Sequence, residues 1–241
     1  MKAILMAAGY GTRLRPLTNT IPKCLVPIKG KPLLEIWLER LTEAGIGPFL
    51  INTHYLADKV NAFIAESPYR DRVTLVSEPV LLGTAGTLMA NLDFFEGEDG
   101  LLIHADNYCL ADFRAFVAAH RQRLPECLLT LMTFRTETPS TCGIVELDSQ
   151  NIVVGFHEKV ADPPGNLASG AICILSKEFL EWMQDKKGQF HDFSSEILPL
   201  FLNKIYTYET ENVFIDIGSR EAYQKANAIE VKSEEFGRNG E

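Results

Sequence analysis

Between residues 9 and 27 the chain cannot hold a regular helix, and that stretch follows directly on a strand. Lys2 to Ala7 (KAILMA) is a short apolar run suited to a buried strand. It opens into Gly9-Tyr10-Gly11-Thr12-Arg13, after which Pro16, Pro22 and Pro27 interrupt any helix. A strand that ends in a glycine turn brings backbone N–H groups close to an anion such as phosphate. Two familiar versions of this device do not fit. The dinucleotide fingerprint needs a third glycine and a helix where this chain has prolines, and a P-loop ends in Gly-Lys-Ser/Thr, which is absent. By itself the turn specifies only a backbone suited to an anion.

Beyond the loop, helix and strand alternate. Leu33, Leu34, Ile36, Trp37, Leu38 and Leu41 recur at helical spacing, with Pro32 near the start and Gly45 past the end, and predict a helix over 32–44. Strands are expected over 49–53, 73–77 and 101–104, and helices over 58–66 and from Thr84 onward. This alternation specifies an α/β fold: a Rossmann-like, mostly parallel mixed sheet with helices on both faces. Ligands of such sheets bind beyond the carboxyl ends of the strands. Three unusual segments, GYGTR, EPVLLGTAG and HADN, fall at such ends. Strands expected over 128–134, 143–147, 152–156 and 168–175 then follow in quick succession, which points to an antiparallel addition or a β-rich lobe. Helices over 177–183 and 194–202, a strand over 214–217 and a helix over 219–231 complete one expected domain, 1–231. The polar tail 232–241 is expected to fray.

Composition narrows the partners. A net charge of −9 argues against the basic stripe needed for sequence-independent nucleic-acid binding, yet a nucleotide site needs only a few local cations. No apolar run approaches the ~20 residues of a membrane span, so no membrane partner is expected. Residues 3–8 are too short for the apolar core of a secretory leader. Cys24, Cys109, Cys127, Cys142 and Cys173 show neither metal-knuckle nor redox spacing, which fits reduced thiols in a cytoplasmic protein. The five histidines show no metal-ligand spacing; His104, two residues before Asp106, either borders a site there or packs as an ordinary edge histidine. Trp37 and Trp182 read as helix packing residues. A homo-oligomer is left open.

The whole stretch GYGTRLRPLTNTIPKCLVPIKGKPLLE is more specific than its glycines. It resembles the signature GxGTRLxPLTxxxPKxLxPIxxKPxxE of the sugar nucleotidyltransferases (nucleoside-diphosphate-sugar pyrophosphorylases) and meets every fixed position. The resemblance continues through LLGTAG, ADN, GIVELD, EK, ASG and DIGSREAY, hence along nearly the whole chain. The LGTAG form is similar to mannose-1-phosphate guanylyltransferase-like members. Many family members continue into a left-handed β-helix; a catalytic domain alone is expected here.

What the resemblance implies is a nucleotide-diphospho-sugar transferase fold with a β-rich sugar-binding lobe. The implied reaction is attack of a sugar 1-phosphate oxygen on the α-phosphorus of a nucleoside triphosphate, with pyrophosphate leaving. It gives Arg13 and Lys23 catalytic roles on the triphosphate. Ala7, Ala8, Gly9, Gly11, Thr12, Arg13, Glu78, Gly83, Thr84 and Asp106 become nucleotide contacts. Asp106 and Asp216 become the ligands of Mg²⁺. Gly143, Glu158, Lys159, Ser169 and Gly170 become contacts to the sugar phosphate. Glu78 as an acceptor for two N–H groups of guanine favours GTP, although uridylyl relatives carry similar segments. A mannose- or heptose-type sugar is favoured, with glucose and N-acetylmuramic acid open. Three departures stand out: Ala105 where the family has glycine, Ile215 and Ser219 around the second aspartate, and Ala168-Ser169-Gly170 for Asn-Ala-Gly. Alternatives are a uridylyl- or thymidylyltransferase, a choline-phosphate cytidylyltransferase, which shares the N-terminal signature and an ADN segment, and a catalytically silent nucleotide-sugar sensor. The last is disfavoured because Arg13, Lys23, Asp106 and Asp216 are all present.

Overall fold

In the computed structural model, which describes residues 1–229, the first strand β1 (Lys2–Met6) leads through the proline-rich loop and a small hairpin, β2 (Pro27–Ile28) and β3 (Lys31–Pro32), into helix α1 (Leu33–Glu43). The expected alternation follows as β4 (Phe49–Thr53), α2 (Ala57–Glu66), β5 (Val73–Ser77), α3 (Gly83–Ala90) and β6 (Gly100–His104). Next come β7 (Asn107–Cys109), α4 (Phe113–Gln122), β8 (Leu129–Arg135), β9 (Gly143–Leu147), β10 (Val153–Glu158) and β11 (Leu167–Leu175). The last elements are α5 (Lys177–Gln184), β12 (Ile205–Glu209), β13 (Phe214–Asp216) and α6 (Arg220–Ala228). Position 231, the expected end of the last helix, and the tail 232–241 lie outside the described residues.

Nine strands form one sheet in the order β10-β9-β11-β6-β1-β4-β5, with β8 and β12 branching from β11. Strands β6, β1, β4 and β5 are mutually parallel. Strand β11 turns the direction, pairing antiparallel with β6, β8 and β9. The strand-rich second half is therefore an antiparallel continuation of the same sheet.

Successive side chains of a strand point to opposite faces, so a sheet covered on both sides needs continuous apolar strands. In β1, Ala3 and Leu5 enter one core cluster and Ile4 the other; in β6, Leu101 and Ile103 oppose Leu102 in the same way. Helices α1, α2 and α4 cover the first face, and α3 and α5 the second. Helix α1 ends where the sequence says it should. Gly45 takes φ +75°, its N–H reaches the Thr42 carbonyl, and the Ile46 N–H reaches that of Leu41. This left-handed turn satisfies the last helical carbonyls, and glycine adopts it without strain. Trp37 on α1 is fully buried and donates its indole N–H to the Asn107 carbonyl at 2.9 Å.

Five elements escape the sequence reading, the short hairpin strands β2 and β3 among them. Helix α4 carried a usable signal, since Asp112 caps it by accepting from Arg114 N and Ala115 N, and Phe113 and Phe116 are buried. Strand β12 alternates visibly, with Ile205 and Thr207 inward. Strand β7 is three residues long and exists only by pairing with β13. The helix expected over 194–202 is a wide turn, Phe193–Ile197, followed by a tight one, Leu198–Phe201. Pro199 lacks the N–H that a regular helix would need there.

Trp37→Phe keeps most of the apolar bulk but leaves the Asn107 carbonyl without its donor, a cost of about 1–3 kcal/mol. The urea midpoint should fall with an unchanged slope. An unmoved midpoint would mean that the bond makes no net contribution.

Candidate active site

The loop after β1 is shaped by its glycines in two different ways. Gly11 sits at φ +61°, and a Cβ there would lie 3.0 Å from Thr18 Cγ2 and 3.1 Å from Lys23 Cβ, so this position requires glycine. Gly9 has nothing within 4 Å of its absent Cβ, which leaves the backbone open to a ligand. Buried Thr18 donates to the Gly11 carbonyl at 2.7 Å, and Tyr55 donates to the Thr18 carbonyl at 2.9 Å, which fixes the loop from within. Thr12 and Arg13 are exposed at its rim.

Lys23 is the centre of the charged groups. Its side chain is only 9% exposed, and Nζ donates to Asp106 Oδ2 at 2.6 Å and Asp216 Oδ1 at 3.5 Å. Two antiparallel strands make this meeting possible. In the β7–β13 ribbon Asp216 lies opposite Asn107, and the Ile217 N–H donates to the Asp106 carbonyl at 3.2 Å. Arg13 Nη2 stands 3.9 Å from Asp216 Oδ2. A Cβ on Gly218 would lie 3.0 Å from the guanidinium, so that glycine leaves room for it. Burial alone would raise the Asp106 carboxyl, but the Lys23 charge and hydrogen bond, with help from His104, hold it below the usual carboxylate range. Ala105, where the resemblance expects glycine, is fully buried in the apolar core and lines the cavity beside Asp106. Ser219 caps α6 by accepting from Ala222 N at 3.1 Å, which leaves Asp216 out of the capping role.

A cavity of about 270 Å³ opens beside this cluster at the carboxyl ends of β1, β4, β5 and β6. Ala7, Ala8, Gly9, Lys23, Glu78, Gly83, Thr84 and Asp106 all line it, as does His104. Glu78, expected to present two acceptors to a base, is 3% exposed and already engaged. Its Oε1 accepts from Asn52 Nδ2 at 2.9 Å and Thr87 Oγ1 at 2.5 Å, and Oε2 from the Leu82 N–H at 3.2 Å. One lone pair of Oε2 remains for a ligand. The Thr84 hydroxyl likewise accepts from the Phe193 N–H at 2.7 Å. Gly83, at φ +76°, packs so closely on His191 that a Cβ would stand 2.2 Å from its carbonyl oxygen. Cys24 also lines the cavity, but burial pushes its thiol up to about 12, so it stays protonated and non-nucleophilic at neutral pH.

The segments expected to hold the sugar meet on β9, β10 and β11. Glu158 pairs across from Gly143, where a Cβ would lie 2.6 Å from Glu158 Oε2. Lys159 Nζ lies 2.9 Å from Glu158 Oε1, and that hydrogen bond raises the lysine above its ordinary range. Ser169 Oγ accepts from Ala171 N at 3.2 Å and keeps its own O–H to donate. Gly170 packs under Phe214, and its carbonyl accepts from Asn107 Nδ2 at 3.2 Å. Gly11, Thr12, Arg13, Asp216 and these five residues are not among the lining of the cavity; Asp216 is tied to it through Lys23, and Arg13 stands beside Asp216.

Sequence reading missed Asn52, Thr87 and Gly218. Asn52 had a signal: a polar side chain near the carboxyl end of a strand buried throughout. Among the described residues no three His, Cys, Asp or Glu side chains gather as a metal site. Asp106 and Asp216 nevertheless converge on one cation position, taken here by the Lys23 ammonium, and are 39% and 52% exposed. Such hard oxygen donors, completed by phosphate oxygens and water, fit Mg²⁺.

Because the folded Asp106 carboxyl is depressed, its pairing with Lys23 stabilises the chain above the unfolded value of about 3.9. That contribution disappears as pH falls through the lower folded value. The stability advantage of wild type over Lys23→Met, measured in urea, should be full near neutrality and shrink on acidification. A difference independent of pH would contradict the pairing.

Residues 2–233 match the family described as Nucleotidyl transferase. Mannose-1-phosphate guanyltransferase of Schizosaccharomyces pombe is 27% identical over 241 residues, which cover 97% of this chain and 65% of that protein. UTP–glucose-1-phosphate uridylyltransferase of a Synechocystis species is also 27% identical, over 94% of this chain and 62% of that protein. The chain thus spans 62–65% of the length of these curated relatives. The crystal structure of HddC from Yersinia pseudotuberculosis shares the fold with a TM-score of 0.77 and 27% identity, over 94% of this chain and 97% of that one. A second crystal structure of HddC is complexed with GMP-PN. With a family match that runs from β1 past the second aspartate, the chain belongs to the nucleotidyl transferase family.

Proposed function

We propose that this chain transfers a nucleotidyl group from a nucleoside triphosphate, GTP first, to a sugar 1-phosphate of mannose or heptose type. The products are a nucleoside diphosphate sugar and pyrophosphate. The observation that carries this reading is the Lys23 ammonium held by Asp106 and Asp216 at the cavity beside the open Gly9 backbone. Guanylyl donors are favoured by the LGTAG segment, by the guanyltransferase relative and by the GMP-PN complex of HddC. Glu78 contributes one acceptor to the base edge, and the rest of the base recognition falls to backbone groups.

In this reading a sugar phosphate oxygen bonds to the α-phosphorus while the bond from that phosphorus to the bridging oxygen breaks, and pyrophosphate departs with the electron pair. Lys23 and Arg13 stabilise the negative charge that builds on the phosphate oxygens, and the loop N–H groups orient them. Lys159 and Glu158 hold the sugar phosphate in line, which lowers the entropy lost at the transition state. Asp106 and Asp216 would hold Mg²⁺, which supplies further positive charge at the phosphates when bound. No protein nucleophile is needed, in keeping with the protonated Cys24.

Pyrophosphate release, assayed with Mg²⁺ across five nucleoside triphosphates, several sugar 1-phosphates and phosphocholine, tests the reading. Release with GTP and one sugar phosphate supports it. Release with phosphocholine and CTP alone would assign a different acceptor. Lys23→Ala and Asp106→Ala should each nearly abolish turnover while circular dichroism shows an intact fold, since Asp216 still faces Lys23 when Asp106 is removed. Substantial turnover in both folded variants would refute the assigned roles.

A further inference from the structure

Asn52 is buried near the end of β4, between the two segments of the cavity that the reading above gives to phosphate and base. Its Oδ1 accepts the Ala7 N–H at 2.7 Å, at the start of the glycine loop. Its Nδ2 donates to Glu78 Oε1 at 2.9 Å and lies 3.3 Å from Thr87 Oγ1. The amide orientation follows from chemistry, because a backbone N–H can only donate and a carboxylate only accept. Among side chains of this size only the amide carries its acceptor and its donors on separate atoms, so that one faces Ala7 and the other Glu78. Aspartate would place a second carboxylate against Glu78, and leucine would leave the Ala7 N–H unpaired and remove one of the two donors to Glu78 Oε1.

The consequence reaches the ligand. Asn52 and Thr87 together occupy Glu78 Oε1, and the Leu82 N–H occupies one side of Oε2. The carboxylate is thereby held in one orientation, and Glu78 lines the cavity with one acceptor site of Oε2 uncommitted. The His54 ring adds a link from the same strand end, 2.7 Å from the Glu78 carbonyl through Nδ1 and 3.0 Å from the Tyr10 hydroxyl through Nε2. Loop and base segment are thus joined through two residues of one strand terminus, Asn52 and His54.

We propose that Asn52 is a positioning residue for base selection: with Thr87 it orients the single free acceptor of Glu78 and ties that acceptor to the phosphate loop. The proposal rests on the nucleotide-site reading above but not on turnover. A released Glu78 carboxylate would rotate among several orientations and meet different bases more equally.

The test is calorimetric titration of wild type, Asn52→Ala and Thr87→Val with GTP, ATP, UTP, CTP and dTTP, alongside steady-state kinetics. Asn52→Ala should weaken the best-bound nucleotide about tenfold, the effect of one lost hydrogen bond to a charged group. The ratio of that nucleotide to the next should narrow, with KM for nucleotide rising more than kcat falls and KM for sugar phosphate unmoved. Thr87→Val, which removes one donor and keeps the shape, should narrow the ratio to a smaller degree. Equal weakening of every nucleotide, or unchanged ratios in folded variants, would overturn the proposal and leave Asn52 a purely structural residue. Wild type that binds nucleotides selectively without turnover would refute the transferase reading while the ratios still decide this one. Wild type that binds none would refute both.

Discussion

The structure is organised around one buried ammonium. Lys23 has almost no access to water, and a charge so placed must be paired or it destabilises the fold. Its partners lie 83 and 193 residues away along the chain. Meeting them requires β6 to end beside β1, and β13 to return from the far end of the chain to pair with β7. The central parallel strands meet the first requirement and the two-stranded ribbon meets the second. The same geometry leaves two carboxylates and one cation beside the cavity at the carboxyl ends of the parallel strands.

Polar groups at this edge divide by burial, and the division has an energetic meaning. Asn52, Glu78 and Thr87 are buried at the cavity wall and hydrogen-bonded to one another, so they hold its shape. Arg13 and Lys159 are exposed by 72% and 65%, and ion pairs of that kind contribute little to stability. Little is lost when a ligand draws them away, which suits the role at the phosphates proposed for them. Lys23 lies between these classes, rigidly placed but adjoining the cavity.

Much of this was legible in the residues. The strand–loop–helix opening, the parallel alternation and the glycine turn follow from glycine and proline placed at the ends of periodic apolar runs, whereas Lys23, Asp106 and Asp216 are singled out by the resemblance of their segments to the family signature. Glu78 and Thr84 were legible as neighbours of the site, but not the fact that their polar atoms are largely engaged by Asn52, Thr87 and Phe193. Hydrogen-bond partners separated by tens of residues have no local signature. Two relatives of equal identity are named for different bases, a guanyltransferase and a uridylyltransferase, so likeness along the whole chain does not by itself name the base.

The sequence by itself determined the class of the fold, the phosphate-ready turn and the acidic and basic residues available to the chemistry. Local sterics and side-chain period decide those things, and both act over a few residues. Tertiary structure alone decided that Asp106 and Asp216 share one lysine, that β7 exists at all, and that Asn52 reaches both Ala7 and Glu78. Each depends on strand register between distant segments, and register is set by how the two apolar faces of the sheet pack beneath their helices.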